Sequence, residues 1–353
     1  MTNTRRLAAV IAPLAALAAL ALSAPALASQ VISTSTGTDI KLGVNGEGEA
    51  MLTYTSEGKV VRVLAWGAIN ANPSSPSKPQ VKLSLGYDGG YEEKFKNSPE
   101  AKAALTNLRD LQAQMAKATA AGNNKLRFEL KDDIAAAYKT IETLRVAATN
   151  YWQTFTCPRY DGPELGWLKA ACKAPDGSYW AVQSWQRLLP NYGVASTPKQ
   201  EAWEVHLAHW DGDPPVLTID TDWSFTQWEH LFGSFTYRGK GVFGYKVTPD
   251  GQPLDTYGRN LYVDTLDSVY GTGWKRENSF LAHNPTGVFC YSINPHPPHP
   301  AGNGSRYRAT ISGPGLTPDM VWEGASPGPY DKAADAIKNL AIAALNDKLC
   351  KPN

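Results

Sequence analysis

The side chains best suited to chemistry fall in two polar, aromatic stretches. The first, at 220–230, holds Asp220, Asp222, Trp223, Trp228, Glu229 and His230. The second, at 257–286, holds Asp264, Asp267, Trp274, Lys275, Arg276, Glu277, Asn278, His283 and Asn284 around Gly271 and Gly273. Two carboxylates facing each other across a cleft would suit glycoside hydrolysis, one as acid and the other as base or nucleophile. Asp222, Glu229 and Glu277 are the candidate carboxylates, and His283 is a further acid–base candidate. Trp223, Trp228 and Trp274, with Arg276 and Asn278, offer the stacking and hydrogen bonding that a sugar ligand requires. Acidic residues at turns and strand ends account for much of this list without any chemistry. The chain has neither G-x-S-x-G nor a P-loop, so neither a nucleophile-elbow hydrolase nor a nucleotide enzyme gains support.

Metal and cofactor signals are weak. His206 and His209 have the spacing of a helical chelate. However, Trp203, Val205, Leu207 and His209 alternate as a strand does, which sends the two imidazoles to opposite faces. His296 and His299 sit in a proline-rich stretch with no third ligand apparent. Asp220 and Asp222 would share a strand face, and Asp211-Gly212-Asp213 reads as a turn; neither pair sits in a complete calcium loop. The expectation is no metal and no cofactor.

The covalent framework comes from four cysteines, Cys157, Cys172, Cys290 and Cys350. In an exported chain an even number favours disulfides. Of three possible pairings, Cys157–Cys172 with Cys290–Cys350 is preferred, because the first closes a local loop and the second ties a C-terminal helix to a strand. Export itself is expected from the N-terminus. Arg5 and Arg6 precede an apolar run at 7–22, and Ala26-Leu27-Ala28 forms an A-x-A cleavage site. The run is too short to span a bilayer. The Arg5-Arg6 pair leaves export in the folded state open, and the absence of cysteine before Cys157 speaks against a lipid anchor. Losing 1–28 removes two arginines and takes the formal charge from +1 to −1. Such a chain has no basic surplus for nucleic acid.

The elements that position these residues are mostly strands. Segments 40–44, 50–55, 59–68 and 81–85 read as strands separated by Asn45-Gly46 and Ser56-Glu57-Gly58. Further strands are expected at 178–187, 202–209, 216–223, 231–237, 241–247, 260–269, 287–293 and 306–312. Residues 98–149 differ. Ser98-Pro99-Glu100 starts a helix, a break falls at 121–124, and a second apolar stripe runs from Leu126 to Leu144. This is a helical hairpin, expected to bury its stripe on itself or on the sheet, with an interaction arm as the alternative. A last helix at 331–349 places Ala334, Ile337, Leu340, Ala341 and Leu345 on one face.

Three segments, at 63–68, 172–180 and 257–290, resemble a group of secreted proteins of actinobacterial type. The likeness implies export and supplies no activity. The expected molecule is mainly β, with sandwich- or barrel-like antiparallel sheets, an inserted α-helical hairpin and a C-terminal helix. A signal peptide occupies 1–28, the hairpin 98–149, and a β-rich body 29–97 and 150–353, divisible near 195–200. The leading function is extracellular binding of polysaccharide or a cell-envelope surface. The alternative is a secreted carboxylate-dependent hydrolase.

Overall fold

The computed structural model describes residues 29–67, 69, 81–186, 202–226, 228–241, 260–268, 271–281, 287–293, 304–311 and 317–344. The chain is mainly β: the described residues form sixteen strands in four antiparallel four-stranded sheets. His283, His296, His299 and Cys350 lie outside the described residues, as do the N-terminal segment 1–28 and most of the expected strand at 241–247.

Two sheets form the N-terminal half. One has the order β1 (Gln30–Ser33), β8 (Trp203–Trp210), β7 (Tyr179–Gln186), β6 (Leu168–Lys173). The other is a meander of β2 (Thr38–Val44), β3 (Ala50–Ser56), β4 (Lys59–Gly67) and β5 (Leu83–Gly86). Alternate residues of both sheets make one core, with Leu52, Val63, Trp180, Val182, Val205 and Leu207 all fully buried. His209 shares that face, stacked on Trp180 at 3.8 Å between ring centroids, while His206 points to the other, as the alternation requires. Cys157 and Cys172 are joined, 15 residues apart in sequence, and Cys290 is also disulfide-bonded. Replacing Cys157 and Cys172 together by alanine is expected to cost about 3 kcal/mol through the freed loop. Urea unfolding would read this as a lower midpoint, and an unchanged midpoint would refute it.

The second half repeats the plan. β9 (Val216–Ser224), β10 (Trp228–Tyr237), β11 (Lys240–Gly241) and β14 (Val288–Ile293) form one sheet; β12 (Asn260–Ser268), β13 (Gly271–Leu281), β15 (Arg306–Ile311) and β16 (Met320–Ala325) form the other. Leu231, Phe235, Leu261, Val263, Phe289 and Tyr307 fill the space between them. The passage from the first pair of sheets to the second lies at 211–215.

The two sandwiches meet through the outer face of β7–β8 and that of β12–β15. Trp185 packs on Tyr262 at 5.6 Å. Gln183 bonds the main chain of Asp319 in both directions, at 2.8 and 2.9 Å.

The hairpin forms as its sequence requires. Ser98 Oγ accepts the Ala101 amide at 3.0 Å ahead of α1 (Pro99–Ala120). Asn123 caps α2 (Asn124–Thr149) in the same way at 3.1 Å. Leu108, Ala118, Leu130 and Ala137 are buried, and the two helices pack on each other and on short helical turns at 92–96 and 151–154. Phe128, near the tip, is 72% exposed. Among the described residues no helix is long and apolar enough to cross a membrane.

The expected C-terminal helix forms as α3 (Lys332–Ala344). Its apolar stripe does not face the sheet: Ile337 and Leu340 are 69% and 73% exposed. Ile342 and Asp335 are buried instead. The polar side docks because it has specific partners. Asn339 Oδ1 accepts the Phe225 amide at 2.8 Å, and Lys338 Nζ lies 3.5 Å from Asp222 Oδ2.

Candidate functional site

A groove of about 640 Å³ lies on the outer face of the first meander. Its floor follows from strand register. Lys41, Thr53 and Arg62 are direct partners on β2, β3 and β4, so their side chains stand in one row on one face. Thr55 and Val60 form the next row toward the solvent end. The wall is Trp152 with Phe155, from the segment after α2. Gly43 lets that segment cross the sheet closely, since a Cβ there would sit 2.9 Å from Phe155 Cβ. Val44 and Thr156 then exchange main-chain hydrogen bonds at 2.6 and 3.0 Å. Trp152 is 37% exposed, and the Arg62 guanidinium covers part of its ring, 4.5 Å from the centroid.

The wall is held by a polar cluster at the hairpin base. Lys94 Nζ bonds Glu47 at 2.9 Å and Glu49 at 2.8 Å. Tyr151, next to Trp152, donates to Glu49 at 2.7 Å, and Asn45 reaches both Glu49 and the Tyr151 hydroxyl at 2.9 Å. Burial disfavours the Lys94 ammonium, but the hydrogen bonds to Glu49 and Glu47 outweigh it and hold it well above the usual lysine range.

The residues singled out in the sequence fall in several places. Glu229 and Glu277 lie on facing sheets, near enough for the Glu229 charge to act on Glu277. Glu229 shares the interior face of β10 with Leu231 and Phe235. Glu277 is the extra residue of a β-bulge, because Val263 pairs with Asn278 and Asp264 with Arg276. Burial pushes the Glu277 carboxyl up to about 7; the Thr265 hydrogen bond opposes this and the Glu229 charge adds to it. Asp222 lies on the opposite face of that sheet, beside Lys338. Trp223 packs edge-on against Tyr330 and donates to the Gly328 carbonyl at 2.8 Å. Trp228 is partly exposed at the start of β10. Arg276, 2% exposed, pairs with Asp264 and lies 4.4 Å over the Tyr262 ring. Trp274 carries the Arg308 guanidinium at 4.4 Å. Arg276 and Trp274 therefore belong to the joint between the sandwiches. Asn278 lies on β13 beside Val263.

The groove residues Lys41, Arg62 and Trp152 do not stand out in the sequence. The one local signal is an aromatic pair, Tyr151-Trp152, immediately after a long helix. Among the described residues no cluster of three or more histidine, cysteine or acidic side chains could hold a metal ion. No family model matches the chain, and no curated protein or solved structure is significantly similar to it. The resemblance carried by 63–68, 172–180 and 257–290 thus gains no support from these comparisons.

Proposed function

We propose that the protein is an exported binding protein that takes an extended, hydroxyl-rich chain such as a cell-envelope glycan in the groove beneath the hairpin. The observation that carries this reading is the half-exposed Trp152 ring standing over the Lys41–Thr53–Arg62 row. An aromatic face with hydrogen-bonding side chains at its foot matches the alternating apolar and polar faces of a sugar. Retention on insoluble glycans tests it. Trp152→Ala is expected to weaken retention about tenfold or more, the loss of a central aromatic anchor. Lys41→Ala should weaken it less. Retention on no glycan, or retention unaffected by Trp152→Ala, would overturn the reading.

One observation favours a second reading, hydrolysis. A carboxylate pair in which burial raises one member suits an acid beside a base, and Glu229 and Glu277 have that character. Release of reducing sugar, abolished by Glu277→Gln, would support it against simple binding.

A further inference from the structure

Ser29 is fully buried. It lies in a polar seam where β8 of the first sandwich meets the approach to β16 of the second. Its Oγ donates to Asp319 Oδ1 at 2.7 Å and lies 2.9 Å from His206 Nδ1. His206 stands 3.3 Å from Asp319 Oδ2 through Nδ1 and 3.3 Å from Glu204 Oε2 through Nε2. Trp185 Nε1 also donates to Asp319 Oδ2, at 2.8 Å. Glu204, His206 and Asp319 are all buried. Ser29 is also the residue that cleavage after Ala26-Leu27-Ala28 would place first in the mature chain.

We propose that the Ala28–Ser29 peptide bond is a processing site, and that the α-ammonium created at Ser29 is held by Asp319 in the seam between the two sandwiches. The proposal rests on the export reading and is independent of what the groove binds. Water adds across the Ala28–Ser29 bond under a peptidase of the export machinery. Ala28 leaves with the new carboxylate, and the Ser29 nitrogen takes up a proton. Before cleavage that nitrogen is a neutral amide; afterwards it is a cation with the donor capacity of a lysine head. Asp319 already accepts a hydrogen bond from the hydroxyl of the same residue, so the new ammonium forms three bonds from an atom in contact with its carboxylate. In a buried seam such an attraction is far stronger than in water. The ion pair joins an N-terminal residue of the first sandwich to the second, so processing completes the joint.

The test has three arms, all on the exported protein or its mature chain. N-terminal sequencing and intact mass should give Ser29 as the first residue. The α-amine of the folded chain should resist an amine-reactive reagent at neutral pH and react once the chain is denatured. A chain carrying Gly-Ser ahead of Ser29 should melt about 5 °C below the chain with a free Ser29, the shift expected of one or two lost charge-assisted bonds. Asp319→Asn should remove that difference. A first residue other than Ser29, or equal melting of the free and extended chains, would overturn the proposal. Ser29 as first residue with a freely reactive amine in the fold would overturn the docking. The labelling arm stands even if Asp319→Asn fails to fold.

Discussion

Asp264→Ala is expected to lower stability by about 3–5 kcal/mol, the cost of leaving buried charges without their partner. Asp264 is 1% exposed and serves two guanidiniums at once. Arg276 bonds it through Nε and also lies 3.3 Å away through a terminal nitrogen. Arg308 donates to Oδ2 at 3.0 and 3.1 Å. Both cations are further enclosed by aromatic rings: Arg276 lies over Tyr262, and Arg308 over Trp274 and Trp167. Removing the carboxylate strands two positive charges at the joint between the sandwiches. Replacing Asp264, Arg276 and Arg308 together by apolar residues of similar volume should cost much less, because the penalty lies in the unpaired charge. Urea unfolding of both variants is the measurement. Equal stability of Asp264→Ala and the parent would show that the cluster contributes nothing.

The second large effect is a loss of stability in acid. Burial lowers His209 to about 4, with Asp176 opposing, and lowers His230 to about 4, with Lys338 adding to the effect. The unfolded chain binds these protons near 6.5, so it holds more protons than the fold between about 6.5 and 4. Stability is therefore intact above about 6.5 and falls as the pH drops toward 4, by on the order of 3 kcal/mol for each histidine. Glu277, raised by burial to about 7, has the opposite sign. Its contribution is present below about 4.5 and is lost as pH rises through 7, again on the order of 3 kcal/mol. The net acid loss is thus about that of one histidine. Glu277→Gln should steepen it, and His209→Phe, which keeps an aromatic ring on Trp180, should flatten it. A urea midpoint recorded between pH 4 and 8 tests all three. A profile unchanged by His209→Phe would exclude its titration as a cause.

Much of the fold is legible in the sequence because its elements obey local rules. The hairpin is written in the Ser98 cap, in the break at 121–124 and in its stripes. β3, β4, β7, β8 and β12 alternate or run apolar as buried strands do. What escaped has a physical reason. β13 reads as a glycine-bearing polar segment because Arg276 is buried in an ion pair and Glu277 is turned inward at a bulge; neither follows from periodicity. β1 and β6 bury one residue each and β16 none, so no alternation of buried and exposed positions marks them. The docking face of α3 is set by Asn339 and Lys338, whose partners are on β9 and the adjoining turn, and hydropathy does not record partners. The approach of Glu229 and Glu277 needs two sheets to face each other. The groove needs three strands in register under a segment about 100 residues downstream.

The hairpin is a lever. At 1.5 Å per residue its 26-residue arm, α2, reaches about 39 Å, and its footing is the Lys94–Glu47–Glu49–Tyr151 cluster. Tyr151 anchors that footing and Trp152 walls the groove, so the fulcrum and the binding surface are neighbours in one stretch of chain. A ligand held in the groove as proposed would rest against the foot of that arm.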